Sequence, residues 1–384
     1  MLKMQTGTST NANAALAGKE AAEAVKADLK DMKMAFVYSG VQYDQKAMLH
    51  AIKETLPGVP LIGNTSFTGV MTQEGFVSSD DGFVGIMAVS DPDMTVGVAG
   101  MAKQGSARET GHKVAEAALK NAGKTEAPAF FYMSAPSGEE EYYLKGITEV
   151  IGRVPFFGGS AADNAIAGEW LLYTDENVYA VAFFYTDKAF ANVFTGAYHE
   201  TTNVGVITKI VGDRTLAEIN GIPALEQYRA WTGASAEDVK GGNLLAYAIQ
   251  KPLGVKDPLG DLIAVRHPMN GNDDDSTYIG NNLAVGTAVI QLEGSVDEII
   301  AAVGKTLKEL EAKIDAPIAG LHLVHCGGRR AGIGDRINEV YDQVKAAVGD
   351  IPFLMEYTFG EYGYEDDGRN TCGGLMLSFT AFGK

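Results

Sequence analysis

The chain has 384 residues, of which 46% are hydrophobic and 21% charged, a composition typical of globular proteins and a length that predicts two domains. Its formal net charge is −18, from 31 basic and 49 acidic side chains, which argues against nucleic-acid partners and anionic membrane surfaces because both bind basic faces. The two cysteines, Cys326 and Cys372, form no C-x-x-C pair and so support neither a disulfide framework nor a cysteine zinc site.

The sequence also lacks the usual targeting and membrane signals. The first residues contain no continuous apolar segment of the kind found in signal peptides. Apolar runs stay shorter than the roughly 18 residues that a membrane-spanning helix requires. We therefore expect a cytoplasmic protein without membrane insertion.

One local pattern occurs three times along the chain. A buried strand is predicted at 34–40, 129–135 and 321–328, and each is followed by a loop, an amphipathic helix, a Val-Pro or Ile-Pro step and a second strand. Proline is tolerated at the first residue of a strand. This order is typical of a βαβ unit with parallel strands.

Each second strand ends in a polar loop that contains glycine. These loops are Gly63-Asn64-Thr65-Ser66, Gly158-Gly159-Ser160 and Gly360-Glu361. In parallel sheets, ligands bind at the carboxyl ends of the strands. The three loops therefore indicate that the three units share one architecture, and each loop is a candidate to line a ligand-binding site.

Other segments fill the chain between these units. Antiparallel strands are predicted at 82–90 and 94–100, and helices at 235–250 and 295–312. Capping boxes are predicted at Ser137/Glu140 and Ser295/Glu298, and an exposed acidic loop at 270–282. The fold class expected is α/β to α+β, with repeated βαβ units, additional antiparallel strands and two lobes. We place the domains at 30–220 and 221–381.

Cys326 and the histidines are the remaining candidates for chemistry. Cys326 ends a predicted strand just before Gly327, Gly328 and Arg329, and a nearby arginine can lower a thiol pKa to give a nucleophile. The alternative, which we favour, is a small buried residue at a strand end. The six histidines are scattered, and His322 and His325 lie on opposite strand faces, which disfavours a shared metal. Haem ligation by one histidine stays open.

The motifs PFFGGSAADN, HCGGRR, FGEYG and Asn370-Thr371 resemble those of the FIST domain, a two-part bacterial and archaeal sensory module. The resemblance covers about residues 30 to 381. The first loop departs from the family pattern, since Asn64 stands where a cysteine is common. The family motif falls on these residues of the chain: Gly158, Gly159, Asp163, Asn164, Cys326, Arg329, Gly360, Glu361, Asn370 and Thr371.

The resemblance implies a small-ligand-binding sensory protein of a signal-transduction pathway. Its family partners include histidine kinases, chemoreceptors and cyclic-dinucleotide enzymes, and some members are haem proteins that sense nitric oxide. This chain contains no kinase or receptor segment, so we expect a standalone module whose signal passes to a separate protein.

The residues themselves favour an amino-acid-like ligand. Arg329 can pair with a carboxylate, and Asp163 and Glu361 can take an ammonium group. In the alternative, Arg329 pairs with one of these acids as an internal salt bridge. Two other functions are kept: a haem-binding nitric-oxide sensor that regulates a histidine kinase, and a Cys- or carboxylate-dependent enzyme. The predicted ligand-binding residues are Thr65, Ser66, Gly158, Gly159, Ser160, Asp163, Asn164, Cys326, Arg329, Glu361 and Asn370, with no metal site and no certain cofactor.

Overall fold

The structure, a computed structural model, describes residues 1–174, 179–257, 260–366 and 368–384. Short strands alternate with helices along the amino-terminal half. Its elements are β1 (Lys3–Ser9), α1 (Ala14–Asp28), β2 (Met32–Ser39), α2 (Gln45–Thr55), β3 (Leu61–Thr65), β4 (Val70–Thr72), β5 (Gly75–Val77), β6 (Val84–Ser90), β7 (Thr95–Met101), α3 (Ala107–Ala122), β8 (Phe130–Ala135), α4 (Glu140–Ile151), β9 (Phe156–Ser160), β10 (Leu172–Tyr173), β11 (Tyr179–Tyr185) and β12 (Phe190–Thr195).

The carboxy-terminal half begins with a run of antiparallel strands and then returns to the alternating order. Its elements are β13 (His199–Val211), β14 (Thr215–Ile219), β15 (Ile222–Pro223), α5 (Ala224–Thr232), α6 (Asn243–Tyr247), β16 (Leu253–Lys256), β17 (Ile263–Arg266), β18 (Pro268–Gly271), β19 (Thr277–Ile279), β20 (Ala288–Glu293), α7 (Val296–Lys313), β21 (Ile318–Cys326), α8 (Gly327–Ile333), a 3₁₀ turn (Gly334–Arg336), α9 (Ile337–Val348), β22 (Phe353–Thr358), β23 (Glu361–Tyr364), β24 (Asn370–Gly373) and β25 (Leu377–Gly383).

Three sheets share one strand order. They contain the runs β1-β6-β2-β3, β7-β11-β8-β9 and β12-β25-β21-β22. In each run the last two strands, β2/β3, β8/β9 or β21/β22, are parallel. The second strand of the run, β6, β11 or β25, is antiparallel to both of its neighbours. We call these runs, with their helices, units 1, 2 and 3. The predicted α/β fold with repeated βαβ units and additional antiparallel strands is confirmed.

A fourth sheet is inserted into unit 3. It contains eight strands, in the order β17-β16-β20-β13-β14-β19-β18 with β15 paired to β14. With α5 and α6 it forms the insert lobe, residues 199–293, and the three units form the other lobe. The predicted boundary at 220/221 falls inside this sheet, between β14 and β15.

The three units meet at the strands β2, β8 and β21. Phe36, Tyr132 and His322 hold equivalent positions in the three units. Each is the second residue of its strand that pairs with the parallel neighbour, β3, β9 or β22. Their rings touch: the Phe36 centroid lies 4.7 Å from that of His322 and 5.1 Å from that of Tyr132. The threefold repeat therefore places equivalent residues together in the core.

Local predictions have mixed outcomes. The Ser295/Glu298 capping box is confirmed at the start of α7. The Ser137/Glu140 box is wrong: α4 starts at Glu140, whose carboxylate accepts from the backbone N–H of Gly138 at 2.6 Å. The segment 270–282 is not simply a loop, since β18 and β19 pair across it. The helix predicted at 235–250 is limited to α6, because Gly241 and Gly242 interrupt it.

Candidate functional site

A cavity of about 290 Å³ lies where the units meet the insert lobe. Phe67 follows β3, Phe359 follows β22, and Cys326 ends β21, so carboxyl ends of parallel strands form one wall. The remaining walls come from the segment 163–170 and the insert lobe. We call this the aromatic cavity; its side-chain lining includes Phe67, Ser137, Ile166, Trp170, Leu245, His267, Met269, Tyr278, Asn281, Cys326, Phe359 and Leu375.

Asn281 is the most informative polar group in this lining. Only 1% of the residue is exposed, and its Nδ2 donates to Glu141 Oε1 at 3.3 Å. Its Oδ1 is buried and has no partner among the described residues. A buried unpaired carbonyl oxygen costs about 1–3 kcal/mol, so Asn281 offers an acceptor to a ligand donor.

An ion-pair cluster fixes Asn281 against the units. Arg214 of the insert lobe lies 3.4 Å from Glu140 and donates to Glu141 of α4. Glu141 also accepts from the backbone N–H of Asn282 at 2.9 Å. Burial raises the pKa of Glu140 to about 7, an effect opposed by Arg214. The cluster therefore ties the insert lobe to unit 2 at the cavity edge.

Cys326 is a buried thiol at the cavity wall. Its Sγ accepts from the backbone N–H groups of Gly328 at 3.3 Å and Leu375 at 3.2 Å. Burial raises the pKa of the thiol well above its ordinary value, and the nearby Glu361 adds to this rise. Cys326 thus begins α8 as a protonated cap; Cys372 is likewise buried and free.

Asp163 organises the loop that covers the cavity. Its carboxylate accepts from the backbone N–H groups of Ala165 at 2.9 Å, Ala167 at 3.1 Å and Glu169 at 2.9 Å. Burial alone would raise the pKa of Asp163, but these bonds outweigh it and lower the pKa. Asn164 is exposed and accepts from the N–H of Thr68 at 2.9 Å. Both residues hold the segment that supplies Ile166 and Trp170.

Gly158, Gly159 and Ser160, three of the predicted residues, are buried at the end of β9. A Cβ on Gly158 would lie 2.0 Å from the carbonyl oxygen of Met133, and one on Gly159 would lie 2.5 Å from Thr358. Ser160 bonds the Tyr362 hydroxyl at 2.5 Å.

Thr65 and Ser66 link neighbouring segments at the first strand end. Thr65 accepts from the N–H of Leu171 at 2.9 Å, and Ser66 accepts from the N–H of Tyr357 at 2.9 Å. These contacts connect unit 1 to the cavity loop and to unit 3.

Arg329 is fully buried, and its guanidinium donates to three backbone carbonyls. These belong to Gly196 at 2.7 Å, Ile299 at 2.9 Å and Leu375 at 3.3 Å. Within the described part of the chain it forms no ion pair with Asp163 or Glu361. The guanidinium therefore joins β12, α7 and the β24–β25 connection.

Glu361 and Asn370 lie on the paired strands β23 and β24. Glu361 accepts from the Thr358 hydroxyl and from the Met376 N–H, each at 2.8 Å, and burial raises its pKa to about 8. Asn370 donates to the Val154 carbonyl at 2.8 Å. Of the eleven predicted residues, the structure places Cys326 in the cavity lining.

A second buried polar group occupies the centre of the three units. This central polar cluster consists of Tyr38, Asn64, Tyr132, His322 and Glu356, each 0% exposed. The Tyr38 hydroxyl lies 2.5 Å from His322 Nε2, and Tyr132 donates to Asn64 Oδ1 at 3.1 Å. Burial raises the pKa of Glu356 to about 8 and lowers that of His322 to about 3. Both groups are held in their neutral forms near pH 7.

His267 is the histidine of the aromatic cavity. Its Nε2 lies 2.9 Å from the Leu245 carbonyl, and burial lowers its pKa to about 4. His322 and His325 are buried in the core. Among the described residues no group of three or more His, Cys, Asp and Glu side chains is arranged to hold a metal ion. No helix in the described ranges is both long and apolar enough to cross a bilayer.

Most of the aromatic cavity was not predicted from the sequence. Phe67 and Phe359 adjoin predicted residues, following Ser66 and preceding Gly360, so the loops themselves carried that signal. No sequence signal marked Trp170, His267 and Asn281 as cavity residues. Trp170 lies on the covering segment, and His267 and Asn281 lie in the insert lobe.

Similarity to solved structures is weak. A cyanuric acid hydrolase from A. caulinodans shares 8% identity, with 100% of both chains covered and a TM-score of 0.36. A PurLQS structure from Thermotoga maritima shares 10% identity, with 99% of this chain and 72% of that chain covered and a TM-score of 0.23. These scores support no argument about activity. A comparison with curated proteins found no match.

The family models cover nearly the whole chain. The FIST N domain matches residues 33–222, and the FIST C domain matches residues 224–364. The predicted resemblance is therefore confirmed. The chain belongs to the FIST family, whose domains are known as sensory signal-transduction domains.

Proposed function

We propose that this protein is a sensor that binds a small uncharged molecule in the aromatic cavity. The observation that carries the proposal is the cavity itself, whose lining combines aromatic side chains with Asn281, whose buried Oδ1 has no partner among the described residues. Ligand sites are commonly mostly apolar, with a few placed polar groups. A ring-containing ligand with one donor facing Asn281 satisfies both features.

The lining favours an uncharged ligand over the predicted amino-acid-like zwitterion. The charged groups proposed for a zwitterion are Arg329, Asp163 and Glu361. None of them is in the cavity lining, and each is engaged by hydrogen bonds within the protein. A charged ligand would lose its hydration without gaining an opposite charge. The amino-acid-like ligand stays a prediction.

Signal output follows from the position of the cavity. Its walls come from the units and from the insert lobe, so a ligand that contacts both stabilises one arrangement of the two. A separate protein would read that arrangement; a histidine kinase, a chemoreceptor or a cyclic-dinucleotide enzyme are the partner classes that the family suggests.

The haem alternative has less support. His267 is the cavity histidine, but its Nε2 is engaged by the Leu245 carbonyl. A volume of about 290 Å³ lies at the lower end of small-molecule sites. The residues as arranged do not fit a porphyrin. A Soret band after adding hemin, lost in His267→Ala, would reverse this ranking.

The enzyme alternative also has less support. A cysteine nucleophile acts as the thiolate, and the environment of Cys326 favours the protonated thiol. Glu361 is fully buried, accepts from Thr358 and Met376, and is not part of the cavity lining, although it lies close enough to Cys326 to raise the pKa of the thiol. Sensing without turnover is the function that the cavity supports best.

A thermal-shift screen of uncharged aromatic metabolites tests the proposal. Gly374 faces the cavity: a Cβ there would lie 3.5 Å from His267 and 3.6 Å from Asn281, so Gly374→Leu fills the site. Gly242 has open space around it, and Gly242→Leu is the matched control. We expect hits to stabilise the wild type and the control but not Gly374→Leu. Equal stabilisation of all three would place binding elsewhere.

A further inference from the structure

A second concave surface lies on the other side of the Glu141–Arg214 contact. It has a volume of about 610 Å³ and runs along one face of α4, toward β17 and β24. Four cations line it, and we call it the basic groove: Lys145, Arg153, Arg266 and Arg369. In a chain of net charge −18, such a concentration of positive charge is local and specific.

Among the described residues, none of the four cationic side chains forms a salt bridge with a carboxylate. Lys145 lies near enough to Glu149 to help lower the pKa of that carboxyl, and the backbone N–H of Arg369 donates to the Asp257 carboxylate at 3.1 Å. Arg153 donates to the backbone carbonyls of Glu365 and Asp366, and Arg266 donates to those of Val265 and Cys372. Lys145 and Arg369 are exposed. Glu141 also lines the groove, where it attracts Arg266 and shares Arg214 with Glu140. With four cations and one carboxylate in its lining, the groove keeps a net positive charge.

One buried donor of the groove lining, Nε of Arg266, has no partner among the described residues. Carbonyl bonds hold the Arg153 and Arg266 side chains in place before any ligand arrives. Preorganised guanidinium groups bind phosphoryl oxygens bidentately, which a mobile lysine cannot do. Leu144 and Cys372 add an apolar floor.

We propose that the basic groove binds a small phosphorylated molecule, with its phosphoryl group at the cations and its remaining part on the apolar floor. This site goes beyond the ligand of the aromatic cavity. Asn281 and Asn282 are adjacent in sequence, and the first lines the cavity while the second lines the groove. An anion bound in the groove would therefore lie next to the segment that carries Asn281 of the aromatic cavity.

Titration calorimetry with inorganic pyrophosphate tests the groove. The double variant Lys145→Gln/Arg369→Gln removes two exposed cations that form no salt bridge among the described residues. Lys46→Gln/Lys308→Gln removes the same charge from exposed residues outside the groove. We expect saturable binding that weakens at least about tenfold in the first variant and stays within about twofold in the second.

Two results would overturn the proposal. Pyrophosphate binding that is absent, or equally weakened in both variants, would show that the groove is not the site. Malonate is the carboxylate comparison, and malonate binding as tight as that of pyrophosphate would overturn the phosphate assignment. Because Gly374→Leu blocks only the aromatic cavity, we expect it to bind pyrophosphate normally, so failure of one site is distinguished from failure of the other.

Discussion

The side-chain amide of Asn64 donates a hydrogen bond of 2.8 Å to Oε2 of Glu356, although the two residues lie 292 positions apart. Asn64 belongs to unit 1 and Glu356 to unit 3, and Tyr132 of unit 2 donates to the other side of the same amide. One polar cluster thus closes the three units around their common centre. Buried polar groups of this kind favour one arrangement only when they are paired.

The pH dependence of stability reports on Glu356. Its pKa rises from 4.5 to about 8 on folding, because burial disfavours the charged carboxylate. The folded chain holds this proton more tightly than the unfolded chain, so the contribution of Glu356 to the free energy of unfolding falls as pH rises from about 4.5 to about 8. Glu356→Gln removes this contribution. We expect the variant to gain on the wild type by up to about 1.4 kcal/mol per pH unit across that window.

Urea unfolding at three pH values inside the window measures this gain. The exposed Glu169→Gln is the control, and its offset from the wild type should not change with pH. A Glu356→Gln offset that is equally constant would show that Glu356 is already ionised in the folded protein.

Arg329 is expected to contribute to stability rather than to ligand binding. Arg329→Met leaves three buried carbonyls without their donor, which should lower the free energy of unfolding by at least about 2 kcal/mol. The exposed Arg108→Met should change it by less than about 1 kcal/mol. Wild-type stability of Arg329→Met, together with lost ligand affinity, would instead favour a ligand-binding arginine.

The two cysteines should react slowly in the folded protein. Burial raises the pKa of both thiols, so the thiolate is scarce at neutral pH, and the sulfurs are shielded. We expect iodoacetamide to label Cys326 and Cys372 at similarly slow rates at pH 7.5, and both rapidly in urea. Mass spectrometry of a labelling time course gives the rates. Fast labelling of Cys326 alone would revive the cysteine-enzyme hypothesis.

Asp163 should hold the covering segment in place. Asp163→Ala removes the acceptor for three backbone N–H groups, at a cost of about 1–3 kcal/mol in the free energy of unfolding. We expect faster hydrogen exchange at Ala165, Ala167 and Glu169. The Glu169 side chain is exposed and forms no hydrogen bond or salt bridge with the described residues, so Glu169→Ala is the control. Unchanged exchange in Asp163→Ala would mean that the segment is fixed by other contacts.

The sequence predicted the repeated units well because periodicity and the Val-Pro and Ile-Pro steps are local signals. It also gave the three strand-end loops equivalent positions in the three units and put Cys326 at the end of a strand, which is where β21 ends. Trp170, His267 and Asn281 could not be predicted, because a covering segment and an inserted sheet bring them together. Arg329 and Asp163 looked like ligand groups, yet in the structure their hydrogen bonds run to backbone atoms, and a charged residue in a glycine-rich motif does not reveal which of these roles it has.

The most direct test of the aromatic cavity uses its own tryptophan. The chain has 2 tryptophans, Trp170 and Trp231, so Trp231→Phe leaves Trp170 as the single indole reporter at the cavity wall. We expect a thermal-shift hit to change Trp170 emission saturably, and Gly374→Leu in the same background to abolish the change. An emission that stays constant while the hit still stabilises the protein would contradict ligand binding in the aromatic cavity.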